Sequence, residues 1–146
     1  MNAKDIQIGN WVYSLIDRYG HIEKKPVRIT GIRTDSDYST LLQTSESDVW
    51  YHIETYEPIP ITPEILEKNG FKFVSPCIND NKDAWVYEWP NEKPNYTPHA
   101  FLLMSHHNKA EFPNFWIYAP NNPDIVYVHQ LQHALRLCGI EKDIEL

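Results

Sequence analysis

What most limits this chain is its punctuation. Turn-forming residues recur every few positions: 11 prolines, and runs such as T-D-S-D at 34–37, N-D-N-K-D at 79–83, P-N-E-K-P-N-Y-T-P at 90–98 and P-N-N-P at 120–123. Proline removes a backbone donor, and Asn, Asp and Ser bond their own backbone in turns, so no element runs long between such stops. Most of the segments left between them are rich in β-branched and aromatic residues with period-two alternation, the pattern of half-buried strands. The chain is therefore expected to build short antiparallel strands.

Residues 10–61 hold the first set. Trp11–Ile16 is followed by a turn at Gly20, and in the next run Val27 and Ile29 alternate with Arg28 and Thr30. Gly31 breaks that alternation ahead of Ile32, which predicts a bulge or a sharp bend. Strands at 38–43 and 49–53 complete the set. Four or five short strands with one bent among them predict an SH3-like small β-barrel. From Phe71 onward the alternation resumes, at Phe71 and Phe73, at Trp85, Tyr87 and Trp89, and then over 100–105, 115–119 and 125–128. That spacing predicts an antiparallel meander.

Two stretches carry helix signals instead. In T-P-E-I-L-E-K-N-G at 62–70, Thr62 is an N-cap, Pro63 fits the first helical position, Glu64 faces the positive end of the dipole, and Asn69-Gly70 is a left-handed stop. The second is V-H-Q-L-Q-H-A-L-R-L-C-G at 128–139, ended by Gly139. At about 100° per residue, Val128, Leu131, Leu135 and Cys138 share an arc of about 80°. His129 and His133 fall opposite, with Arg136 near them and Gln132 at the margin, so this side is expected to face solvent.

The formal net charge is −7, and both halves, split after Ile61, hold more acidic than basic residues. Non-specific phosphate-backbone binding relies on excess Lys and Arg, so it is disfavoured. The polar opening M-N-A-K-D-I-Q has no apolar signal core, Ala100–Met104 is too short to cross a bilayer, and Cys77 and Cys138 are isolated. A cytoplasmic setting is expected, with both thiols as small buried hydrophobes.

Three stretches in order, I-x-I-G-N-W-V at 6–12, P-I-P-I-T-P-E-I-L-E-K-N-G-F at 58–71, and V-H-Q-L-Q with L-C-G-I-E across 128–141, make the chain resemble a family of small uncharacterised proteins of Bacteroides-type bacteria, many encoded near prophage or mobile-element genes. The resemblance implies a lineage and a cytoplasmic setting. The family has no assigned activity, so it lends neither mechanism nor catalytic residues.

Each candidate constellation has a plain structural role as its alternative. A zincin helix needs H-E-x-x-H, with the Glu as general base. Here Gln130 holds that place and cannot take a proton, Arg136 would repel a metal, and no third ligand is placed beside His129 and His133. Ser105, His106 and His107 lack both an orienting carboxylate and a G-x-S-x-G context, and neighbours on a strand point to opposite faces. N-D-N-K-D at 79–83 lacks the Gly and Glu of a calcium loop, as Ala84 and Pro90 occupy those places. Five scattered glycines exclude a phosphate-binding loop or dinucleotide fingerprint. In 18–33, Arg18, Lys24, Lys25, Arg28 and Arg33 stand against Glu23 alone. With Tyr19 or Trp11 as a stacking partner this hairpin suits nucleic acid; the plainer reading is a charged edge strand. The Trp85–Trp89 and Phe115–Tyr118 aromatics read as core, and Tyr96 in the 90–98 loop as an exposed contact.

The expectation is therefore an α+β protein. Residues 1–61 would form the SH3-like small β-barrel. Residues 62–146 would form a short linking helix and an antiparallel sheet covered by the terminal helix, the two halves standing as separate domains or sharing one core. The expected function is that of a non-enzymatic protein-interaction module using His129, Gln132, His133, Arg136 and Tyr96, with no metal and no cofactor. The alternatives are a nucleic-acid-binding module using Arg18, Lys24, Lys25 and Arg28, and a His-dependent or metal-assisted hydrolase.

Overall fold

A computed structural model describes residues 1, 3–15, 24–35, 37, 39–75, 84–88, 102–106, 114–117, 124–137 and 139–146, with backbone alone for 74–75, 84–88, 102–106, 114–117 and 124. The protein is α+β, and its chain divides into two compact units: residues 1–59 with 127–142, and residues 60–126 with 143–146.

The first unit holds β1 (Trp11–Ser14), β2 (Lys25–Thr34), β3 (Thr40–Thr44), β4 (Ser47–His52) and β5 (Tyr56–Pro58). They form an antiparallel sheet in the order β4-β3-β2-β1-β5. β2 serves both sides: Lys25–Arg28 pair with β1, while Ile29–Thr34 pair with β3. The register shifts between Ile29 and Gly31, where the broken alternation predicts a bulge. Glycine is required there by close approach, since a Cβ at position 31 would lie 2.7 Å from Cη2 of Trp50. Val12, Val27, Ile29 and Leu42, each at most 1% exposed, form a core with Ile6 and Tyr56, and Ile32, Tyr51 and Ile53 pack at its margin.

β5 follows a 3-10 turn at Ile53–Thr55 and pairs with β1. Pro58 is tolerated there because an edge strand has a side on which no donor is needed. With β4 and β5 as its two edges, the sheet is open. The closed SH3-like barrel expected from the strand pattern is not formed.

The second unit begins with α1 (Pro63–Lys68). Thr62 accepts from the Ile65 N–H at 3.3 Å, as a capping threonine should. At the other end the Phe71 N–H donates to the Leu66 carbonyl at 3.0 Å and the Gly70 N–H to Glu67 at 3.0 Å. This closure requires the left-handed backbone of Gly70, with φ +88°. β6 (Lys72–Ser75), β7 (Ala84–Glu88), β8 (Leu102–His106), β9 (Asn114–Ile117) and β10 (Asp124–Ile125) then form an antiparallel meander in sequential order.

α2 (Val128–Leu137) departs from expectation. The sequence places it on the second sheet, yet it groups with the first unit, and its side chains bond to residues 7–11. Among the described residues no helix is long and apolar enough to cross a membrane.

Candidate functional site

α2 begins with Tyr127 as its cap: the Leu131 N–H donates to the Tyr127 carbonyl at 3.1 Å, and Gln130 Oε1 accepts from the Tyr127 N–H at 3.1 Å. The residue in the place of a zincin glutamate is therefore a helix-capping side chain, reaching back from the third helical position. The helix ends as α1 does, with Ile140 N–H donating to the Leu135 carbonyl at 2.9 Å and Gly139 N–H to Arg136 at 3.0 Å.

The apolar arc is placed as its spacing predicts: Val128, Leu131 and Leu135 are fully buried. The opposite arc is not left to solvent. His129 is 2% exposed, with Tyr127 stacked on its ring, and Gln132 is 3% exposed, bonded to the segment at 9–11. Burial takes both residues out of any surface contact, which corrects their assignment as partner-binding residues. His133 is half-buried and Arg136 exposed.

Gln132 fits its position as a strand would. Its Oε1 accepts from the Trp11 N–H at 3.1 Å and its Nε2 donates to the Gly9 carbonyl at 3.2 Å, so the side-chain amide pairs with backbone on both sides of Asn10. Asn10 is fully buried and joins the same network. Its Oδ1 accepts from the Gln7 N–H at 2.7 Å, which fixes the amide orientation, and its Nδ2 donates to Gln132 Oε1 at 3.4 Å. The same Oδ1 lies 2.9 Å from His133 Nε2, so that nitrogen carries a proton and donates. Arg136 donates to Gln7 Oε1 at 3.1 Å. No buried side-chain nitrogen or oxygen of Asn10, Gln132 or His133 is left without a partner, as a buried network requires.

His129 is the exception. Its ring stacks on Tyr127 at 5.7 Å and meets His133 edge-on at 6.2 Å, while its buried Nδ1 has no hydrogen-bond partner among the described residues. Burial, reinforced by the neighbouring His133, holds His129 at about 4, well below the ordinary imidazole range, against the opposing pull of Asp5. His133 is also lowered, first by burial and then by Arg136. Both rings are neutral near pH 7. Among the described residues, no three His, Cys, Asp or Glu side chains stand together in a way that could hold a metal ion.

The basic stretch is placed differently from the helix. Val27 and Ile29 point to the core, so Arg28 points outward, directly opposite Trp11 on β1. Its guanidinium sits over the indole at 4.6 Å, and Arg33 sits over Trp50 at 4.7 Å. Lys24 pairs with Glu57 and Lys25 with Glu46, each at 2.6 Å. The local cationic surplus read from 18–33 is thus partly offset by carboxylates from β5 and from the turn before β4. Arg18 and Tyr19 lie outside the described residues, as do Tyr96, Trp89, Cys77, Cys138, His99, His107 and the 79–83 and 90–98 stretches. The side chains of Trp85, Tyr87, Phe115 and Trp116 are not described either. Ser105 and His106 are consecutive residues of β8, opposite Phe115 and Asn114.

Sequence reasoning missed Asn10, Gln7 and Tyr127 as partners of α2. One signal was present: I-G-N-W and H-Q-L-Q-H are the most distinctive polar stretches at the two ends, and they bond to each other. No family model, curated protein or solved structure matches the chain.

Proposed function

We propose that this protein is a non-enzymatic cytoplasmic protein-interaction module, encoded in a prophage or mobile-element setting, and that its first unit carries the contact surface. The observation supporting this reading is the pair of arginine-on-tryptophan stacks, Arg28 on Trp11 and Arg33 on Trp50. Trp and Arg are the residue types that anchor protein interfaces, and stacking holds each guanidinium ready with little rotamer entropy left to lose. Tyr13 shares the outward face with Trp11, two residues along β1. The bond between Arg136 and Gln7 adds a second element, flanked by exposed Ile8 and Leu137. His133 and Arg136 remain in the proposed surface; His129 and Gln132 leave it. The five strands, with β2 shared between two partners and β5 returning to β1, support describing this unit as an open variant of an SH3-like small barrel.

Nucleic-acid binding through the hairpin is the second reading. It draws on the same Arg28–Trp11 stack, and it is weakened by the carboxylates on Lys24 and Lys25. Pull-down from host lysate, with and without nuclease, separates the two. The baits are wild type and the double variant Arg28→Glu with Arg33→Glu. The proposal expects a protein band that survives nuclease and is lost with the variant. Capture that nuclease abolishes and salt weakens would transfer the function to nucleic acid, and capture indifferent to the variant would remove this surface.

A further inference from the structure

We propose that α2 is an acid-releasable latch: the helix stays on the N-terminal segment 7–11 only while the imidazoles of His129 and His133 are uncharged, so mild acid detaches it there. The geometry carries the argument. His129 is 2% exposed, its Nδ1 has no acceptor among the described residues, and its ring stacks on Tyr127 and lies T-shaped to His133. With the neutral ring's proton on Nε2, charging adds a donor at Nδ1, for which the described residues offer no acceptor, in a site that offers little solvation. His133 is one turn along, bonded to Asn10, and Arg136 follows it, already cationic. Protonation of both rings would set three positive charges along one side of α2, two of them, on His133 and Arg136, bonded to the segment that Gln132 clamps.

The charged groups acting on the pair come from three places. His133 and Arg136 act from α2 itself, the amino group of Met1 opposes charging of His129, and Asp5, in the 3-10 turn at Ala3–Asp5, favours charging of both rings. Among the described residues one aspartate, Asp5, favours charging of both imidazoles, and one carboxylate cannot compensate two charges. Both rings are depressed in the folded chain, so the released helix binds more protons than the docked one as pH falls below about 6.5. Docking is therefore fully favoured above that value and is progressively lost below it. The bonds of Gln132 do not titrate and hold the latch shut at neutral pH.

The test is amide hydrogen exchange on the full chain across about pH 7 to 4.5, each rate divided by its intrinsic value. The proposal expects protection at Gln132, His133 and Leu135 to fall roughly tenfold per pH unit below about pH 6, while Leu42 on β3 holds. Equal loss at Leu42, or no loss at α2, overturns it. In His129→Phe the fall at α2 should flatten markedly, and an unchanged slope overturns the role of this ring. Should that variant not fold, ring-signal titration of wild type decides. His129 must stay neutral in the docked form to about pH 5, and a ring that charges near its ordinary value while α2 stays protected refutes the latch.

Discussion

In each unit of this protein a buried side-chain amide clamps a segment distant in sequence, and the two amides, Gln132 and Asn69, work in different surroundings. In the first, Gln132 from the middle of α2 bonds the Gly9 carbonyl and the Trp11 N–H. In the second, Asn69 at the end of α1 accepts from the Glu145 N–H at 2.8 Å, and its Nδ2 donates to the carbonyls of Glu145 and Ile65, each at 2.7 Å. Asn69 is 1% exposed, and Ile144 beside its partner is fully buried. Both residues substitute for a neighbouring strand, offering a donor and an acceptor to a segment that would otherwise leave backbone groups unpaired. They differ in what surrounds the clamped segment. Glu145 is exposed, so its freed groups would regain water, whereas Gln132 shares a network with fully buried Asn10. A polar side chain in such a place is a structural member, and replacing it should cost in proportion to what it strands.

That difference sets an order of effects. Gln132→Ala strands the Trp11 N–H, the Gly9 carbonyl and part of Asn10, and should cost about 3 kcal/mol in urea unfolding. Asn69→Ala should cost about 2 kcal/mol, less because Glu145 can rehydrate. If the two losses came out reversed, rehydration would not be what separates the clamps. Next come the caps, which both helices carry. Thr62→Ala and Gln130→Ala should each lower the unfolding free energy by about 1 kcal/mol, and an equal effect would show that the helix ends behave alike while their polar faces do not. The smallest effect belongs to the surface: Lys25→Ala breaks a pair exposed on both sides, and should change stability by under about 0.5 kcal/mol.

The same contrast explains how much could be read from the sequence. Everything about α1 that rests on neighbours in sequence was legible: the Thr62 cap, Pro63 at the start and the Gly70 stop act within a few residues. The bulge at Gly31 was legible for a like reason, because it interrupts a local alternation. β5 was hard to separate, being three residues long and ending in Pro58. The inward turn of His129 and Gln132 could not be read, since Gln132 and Asn10 are 122 residues apart and period alone treats a polar side chain as a solvent-facing one. In sequence Asn69 is part of a stop signal, and its second task depends on Glu145, 76 residues away. The α+β class and the antiparallel strand runs were thus accessible, while the openness of the first sheet, the placing of α2 and the polar interior depended on contacts between distant segments.

The direct test is a double-mutant cycle between Asn10 and Gln132, read by urea unfolding of Asn10→Ala, Gln132→Ala and the double variant. If H-Q-L-Q-H and I-G-N-W form one buried network, each single change strands the other residue's groups, and the double variant costs less than the sum by about 1 kcal/mol or more. Additive losses, or single changes too small to separate from wild type, would return this face of α2 to solvent and contradict the account.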